Sequence, residues 1–206
     1  MKKALLSLFV VLACSTAYGQ IFQLGARAGV GRSDIRIDEE VQVPGGGTFQ
    51  MRPGEPGTSF HVGAYTRFKI IGLYVQPELL YTNYVAGLES RNVTSGDIAE
   101  GKLTNHRLDI PVLIGIKLGP IRLNAGPSFN AILSSTDDDS AADPEWSAAS
   151  FGWQYGFGVD IGKFLIDLKA EGSFDQPLEG YGNGSNTVPL EGNMHQVLLS
   201  IGYRIL

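Results

Sequence analysis

From Phe22 onward, large apolar residues recur at every second position in segments of about ten residues, the spacing of a β-strand with one apolar face. The clearest run sets Phe151, Trp153, Tyr155, Phe157, Val159 and Ile161 against Gly152, Gln154, Gly156, Gly158, Asp160 and Gly162. Seven further segments follow the same rule, at 24–30, 64–69, 73–82, 107–117, 121–133, 164–171 and 196–205, with Leu80 the exception in its segment. The pattern predicts eight strands.

The connections between these strands alternate. Those at Ile70-Ile71-Gly72, Leu118-Gly119-Pro120 and Gly162-Lys163 are very short, whereas 38–58, 86–101, 134–147 and 176–192 are long, polar and rich in Gly and Asp. Tight turns at one end and long loops at the other are the habit of transmembrane barrels. Strand lengths near the 9 to 11 residues that cross a bilayer agree with it. The expected fold is therefore all-β, an eight-stranded antiparallel up-and-down transmembrane β-barrel with short periplasmic turns and long extracellular loops. A soluble β-sandwich with the aliphatic face as its core would alternate in the same way, and stays open as a rival.

The second face of the strands carries charge. Arg27, Arg67, Lys69, Arg107, Lys117, Arg122, Lys169 and Arg204 share it with Glu78, Asp109, Asp160, Asp167, Glu171 and Asp175. Side chains fill the interior of a small barrel, so these residues are expected to form an internal network of roughly balanced sign that plugs the lumen. A narrow ion or proton path is the other use the same residues permit.

Composition refines this reading at the N-terminus. Lys2 and Lys3 precede an apolar stretch at 4–13, too short to span a bilayer, and Ala17-Tyr18-Gly19 places small residues where a signal peptidase reads. A signal peptide at 1–19 and a barrel domain at 20–206 are expected; lipidation at Cys14 is the competing reading. Removing Lys2 and Lys3 from the 16 basic residues leaves 14 against 21 acidic ones, a net charge of −7 that argues against nucleic-acid binding. Without Cys14 no cysteine remains, so disulfides cannot hold the fold.

The run Leu108-Asp109-Ile110-Pro111-Val112-Leu113-Ile114-Gly115, followed by Lys117, Gly119-Pro120, Leu123 and Ala125-Gly126-Pro127, resembles the central signature of the PorT-type outer-membrane β-barrel proteins of Bacteroidota. Gly25-Ala26-Arg27-Ala28-Gly29, Tyr74-Val75-Gln76-Pro77-Glu78-Leu79-Leu80-Tyr81 and Ser200-Ile201-Gly202-Tyr203-Arg204-Ile205 resemble the same family. The resemblance implies a place in the bacterial outer membrane among its lipids, insertion by the barrel assembly machinery, and an accessory role beside secretion-system proteins. The terminal aromatic usual in such barrels is replaced here by Leu206.

Signals of chemistry are sparse. Phase places His61 inward and both His106 and His195 outward, which opposes a shared catalytic site for a rim enzyme on lipids; the expectation is a protein that is not an enzyme and needs no cofactor. Asp137-Asp138-Asp139, with Asp143 and Glu145, lacks the spacing of a calcium loop. Asn92-Val93-Thr94 and Asn183-Gly184-Ser185 match a glycosylation sequon but read as loop chemistry, and Gly29-Val30-Gly31 and Gly156-Phe157-Gly158 lie inside strands and open no helix.

Overall fold

The computed structural model describes residues 21–36, 39–43, 47–70, 72–93, 95–137, 143–146, 149–174, 178–182 and 188–206. The expected signal peptide with Cys14, Asp175, Thr94, Asp138, Asp139 and the sequon at 183–185 lie outside the described residues. Twelve strands follow in chain order: β1 (Phe22–Arg36), β2 (Glu39–Val43), β3 (Gly47–Pro53), β4 (Gly57–Ile70), β5 (Leu73–Asn92), β6 (Ile98–Leu118), β7 (Ile121–Asp137), β8 (Asp143–Trp146), β9 (Ala149–Ile161), β10 (Phe164–Ser173), β11 (Leu178–Gly182) and β12 (Val188–Arg204).

Eight of them close into a barrel in the order β1-β4-β5-β6-β7-β9-β10-β12, every neighbour antiparallel. The seam is sealed by β12 on β1, from Gly25 opposite Arg204 to Arg36 opposite Asn193. Closure satisfies the backbone groups that an open sheet edge would leave unpaired in lipid. At one end, Ile70 faces Leu73, Leu118 faces Ile121 and Ile161 faces Phe164 across tight turns. Gly119 (φ 62°) and Gly162 (φ 61°) occupy the first turn position, where such hairpins need a positive φ that L side chains resist.

The burial pattern is inverted relative to a water-soluble protein. Ile114, Ile116, Leu123, Phe157, Ile161, Leu199 and Ile201 are exposed, while Arg27, Arg67, Glu78, Arg107, Asp109, Arg122, Asp167 and Lys169 are buried. A continuous apolar exterior of this extent is stable only against hydrocarbon. Two aromatic belts frame it. Phe22–Phe68 (5.2 Å between centroids) and Phe164–Tyr203 (5.4 Å) lie near the tight turns; Phe129–Phe151 (5.0 Å), Trp153–Tyr155 (5.0 Å) and Tyr81–His106 (6.0 Å) lie toward the other end. The sandwich alternative, which needs the aliphatic face inside, fails on this arrangement.

The connections expected as long loops at 38–58 and 86–101 differ from that expectation. Strands β5 and β6 continue through 86–91 and 98–101 as paired wall, Ala86 opposite Leu103 and Arg91 opposite Ile98. Strand β3 extends β4 along the upper part of β5, Pro53 opposite Leu88, with Gly54 donating its N–H to the Gly87 carbonyl (3.0 Å) at the break between them. Strands β2 and β3 pair as a hairpin, and β11 pairs with both β12 and β8. The wall therefore rises well past the outer belt.

Candidate functional site

The interior is the candidate site, because eleven of the fourteen charged residues expected there join in one run of ion pairs, bridged at a single point by the Gln154 amide. Strand alternation points each of them into a lumen narrow enough for opposite walls to touch. From the short-turn end, Lys117 (β6), Arg67 (β4; 3.4 Å) and Arg122 (β7; 2.6 Å) converge on Asp160 of β9. Arg122 also reaches Asp167 of β10 (2.9 Å), which Arg27 of β1 approaches from the far side at 2.5 Å. Arg27 continues to Glu78 of β5 (2.7 Å), and Glu78 accepts from Lys169 of β10 (2.9 Å) and from the Gln76 amide (2.6 Å). Lys169 donates to Gln154 (3.0 Å), whose amide donates to Glu171 (2.8 Å). Arg107 pairs with both Glu171 (2.5 Å) and Asp109 (2.9 Å) and ends the run.

Acids and bases alternate along this path, so each buried charge has an opposite neighbour, as burial requires. Aromatic rings fill the space between. The Arg67 guanidinium lies over both Tyr65 (5.7 Å) and Tyr74 (4.8 Å), and Arg107 lies over Tyr84 (5.0 Å). The facing strands make room for these rings: a Cβ at Gly115 would collide with Tyr74, and one at Gly25 with Tyr65. Leu80, Leu113, Leu165 and Leu198 are also buried inside, so the lumen is not wholly polar. Leu80, the break in the sequence alternation, is an interior residue.

Arg204, like Lys69, is an expected network residue that forms no ion pair among the described residues. It donates to the Gly162 carbonyl (3.2 Å), and with the Gln23 amide turned to satisfy its neighbours, the Gln23 oxygen accepts from Arg204 (2.9 Å) and from Lys69 (2.7 Å). The balance of signs read from the sequence is thus a property of the whole interior and not of its short-turn end.

Sequence reading missed the polar residues that stitch the charges together. Gln76, Gln154 and Gln196 are buried and each touches a carboxylate, Gln196 donating to Glu171 at 2.9 Å. Their inward phase was the available signal. His61 faces inward, 2.9 Å from Ser200, and both are buried, so this Ser–His pair meets packed interior and not solvent. His106 faces outward against Tyr81 (2.7 Å), and His195 outward near Trp153 (ring centroids 6.5 Å).

Residues 18–180 match the family described as "Outer membrane protein beta-barrel domain", a stretch that holds seven of the eight barrel strands and stops before β12. No curated protein matches the chain. Among solved structures, outer membrane protein AlkL in DMPC lipid bilayers is similar over 89% of this chain and 90% of its own, at 15% identity and a TM-score of 0.50. OprG from Pseudomonas aeruginosa (8% identity, 89% and 97% covered, TM-score 0.45) and the attachment invasion locus protein Ail of Yersinia pestis (14%, 89% and 98%, 0.40) are also similar. The likeness to AlkL is one of fold.

Proposed function

The chain belongs to the outer membrane protein beta-barrel domain family of the bacterial outer membrane, and from that premise we propose that it is a non-enzymatic, non-conducting barrel that carries an interaction platform at the cell surface. One observation supports this above the rest: the run of ion pairs from Lys117 to Asp109, bridged by Gln154, occupies the lumen along the membrane-embedded length. Ions crossing the barrel would have to break buried pairs, each costly to open. Inserted in a planar bilayer, the purified protein is expected to give no steady current; stable open channels would refute the reading.

What remains for interaction is the wall beyond the outer belt, where β2, β3, β8, β11 and the upper halves of β5 and β6 present paired strands to the medium. Rigid ribbons suit protein contacts better than flexible loops, because less entropy is lost on binding. The finer assignment, a PorT-like accessory to protein secretion in Bacteroidota, rests on the sequence run from Leu108 to Pro127. Its check is the secreted protein profile of a deletion strain: a profile identical to the parent removes the secretion role and leaves the platform.

A further inference from the structure

The charges of the interior are unevenly placed, and the excess lies at the short-turn, periplasmic end. Lys69, Lys117 and Arg204 stand one residue or less from the ends of β4, β6 and β12, with Arg67 and Arg122 a layer deeper. Both oxygens of Asp160 are already taken, one by Arg122 (2.6 Å) and the other by Lys117 and Arg67. Lys69 and Arg204 reach no carboxylate among the described residues; the neutral oxygen of Gln23 serves them both. Arg67 Nη2 is buried with no hydrogen-bond partner among the described residues. Five cations therefore surround one carboxylate that only Lys117, Arg67 and Arg122 reach, and of these Asp167 relieves only Arg122 (2.9 Å). The mouth is open to solvent, since the Lys117 side chain keeps 28% of its exposure and Lys69 and Arg204 are half-buried.

The other end of the network has no such excess. Glu171 accepts from Arg107, Gln154 and Gln196, and Asp109 pairs with Arg107 and, with the Asn130 amide suitably turned, accepts from it at 3.0 Å. An unmatched set of donors on several strands at one mouth is the chemistry of an oxyanion site.

We propose that the periplasmic mouth, formed by Lys69, Lys117 and Arg204 around Gln23, binds a phosphate group. A carboxylate offers two oxygens and a single charge, whereas a phosphate offers more oxygens and up to two charges to ammonium and guanidinium donors that approach from β4, β6 and β12. The group has two sources of the same chemistry: free phosphate from the periplasm, or the headgroup of an inner-leaflet phospholipid at the level marked by Phe68, Phe164 and Tyr203.

The test is the thermal unfolding midpoint of the purified protein in an amine-oxide detergent, in sodium phosphate and in sodium chloride of equal ionic strength. At about a hundredfold excess over Kd, phosphate is expected to raise the midpoint by roughly 5 °C or more. The double variant Lys69→Gln, Arg204→Gln should lose that rise while remaining at least as stable as the parent in chloride, since it sheds two unmatched cations. Broadening of the inorganic phosphate signal in ³¹P NMR by the parent alone gives a second reading should the variant fold poorly. Equal midpoints in the two salts, or a full phosphate response in the variant, overturn the proposal. In phosphatidylglycerol nanodiscs, loss of any further response to added phosphate assigns the site to a lipid headgroup, and a retained response assigns it to free phosphate; either result supports the site.

Discussion

The lower and upper halves of β5 and β6 obey opposite rules. Between the belts, β5 shows Leu73, Val75, Leu79 and Tyr81 outward and buries Gln76, Glu78 and Thr82; beyond Asn83 it turns Glu89 and Arg91 outward and buries Tyr84 and Ala86. Strand β6 repeats the change, with Ile110, Ile114 and Ile116 outside and Arg107 and Asp109 inside, then Lys102 and Glu100 outside and Leu103 inside. On β1 the outward residues pass from Val30 to Arg32, with Ile35 buried above, and on β12 from Val197 to His195, with Met194 buried above. The switch occurs at one level around these strands, where Asn83 faces His106 and Asp34 faces His195. The backbone is one continuous sheet across that level; what changes is the solvent outside it, from hydrocarbon to water. Which face is apolar is set by the surroundings and not by the fold.

The sharpest way to break this comparison is to remove a buried charge in the lower half. Glu78→Ala leaves Arg27 and Lys169 without their shared carboxylate, and is expected to cost about 3–5 kcal/mol, read as the urea midpoint of folding into lipid vesicles; a loss below 1 kcal/mol would mean that water reaches the network. A matched pair of changes on the outer face of β6 comes next. Ile114 (60% exposed) and Ile98 (57% exposed) point the same way on the same strand. Ile114→Arg should cost about 2–4 kcal/mol near the bilayer midplane, whereas Ile98→Arg, in water, should cost within about 0.5 kcal/mol. Equal penalties would place the membrane boundary elsewhere. The smaller of the interior effects belongs to the upper half: Leu103→Ala should lose about 2 kcal/mol by leaving a cavity without disturbing the charges below, and the check is an unchanged, silent bilayer recording alongside the lower stability.

These two rules also explain what the sequence disclosed. The eight membrane-crossing segments were legible because one face, 107–117 for example, stays apolar for a full bilayer width, and the inward charges followed from the same phase. The wall at 86–91 and 98–101 was not legible, because the apolar phase passes from the outer face at Tyr81 to the inner face at Tyr84, and a search for a constant phase reads the crossing as a polar loop. Nor could sequence reveal which charges meet. Lys169 bonds to Glu78 across the lumen, a contact between residues far apart in the chain that depends on how the strands stagger as the barrel closes. The same stagger concentrates Lys69, Lys117 and Arg204 at one mouth, although the interior as a whole holds acids and bases in comparable number.

The β1–β12 seam has a consequence for how the molecule is made. Its hydrogen bonds join the first and last strands of the chain, so the ladder that removes the sheet's two edges is also the one of greatest loop-closure cost. Until β12 arrives, an assembling sheet offers bare edges on β1 and β10, each able to recruit a wrong strand. Biogenesis is therefore gated by delivery of the chain's far end, and a helper that shields β1 while it waits would govern the yield of correctly closed protein.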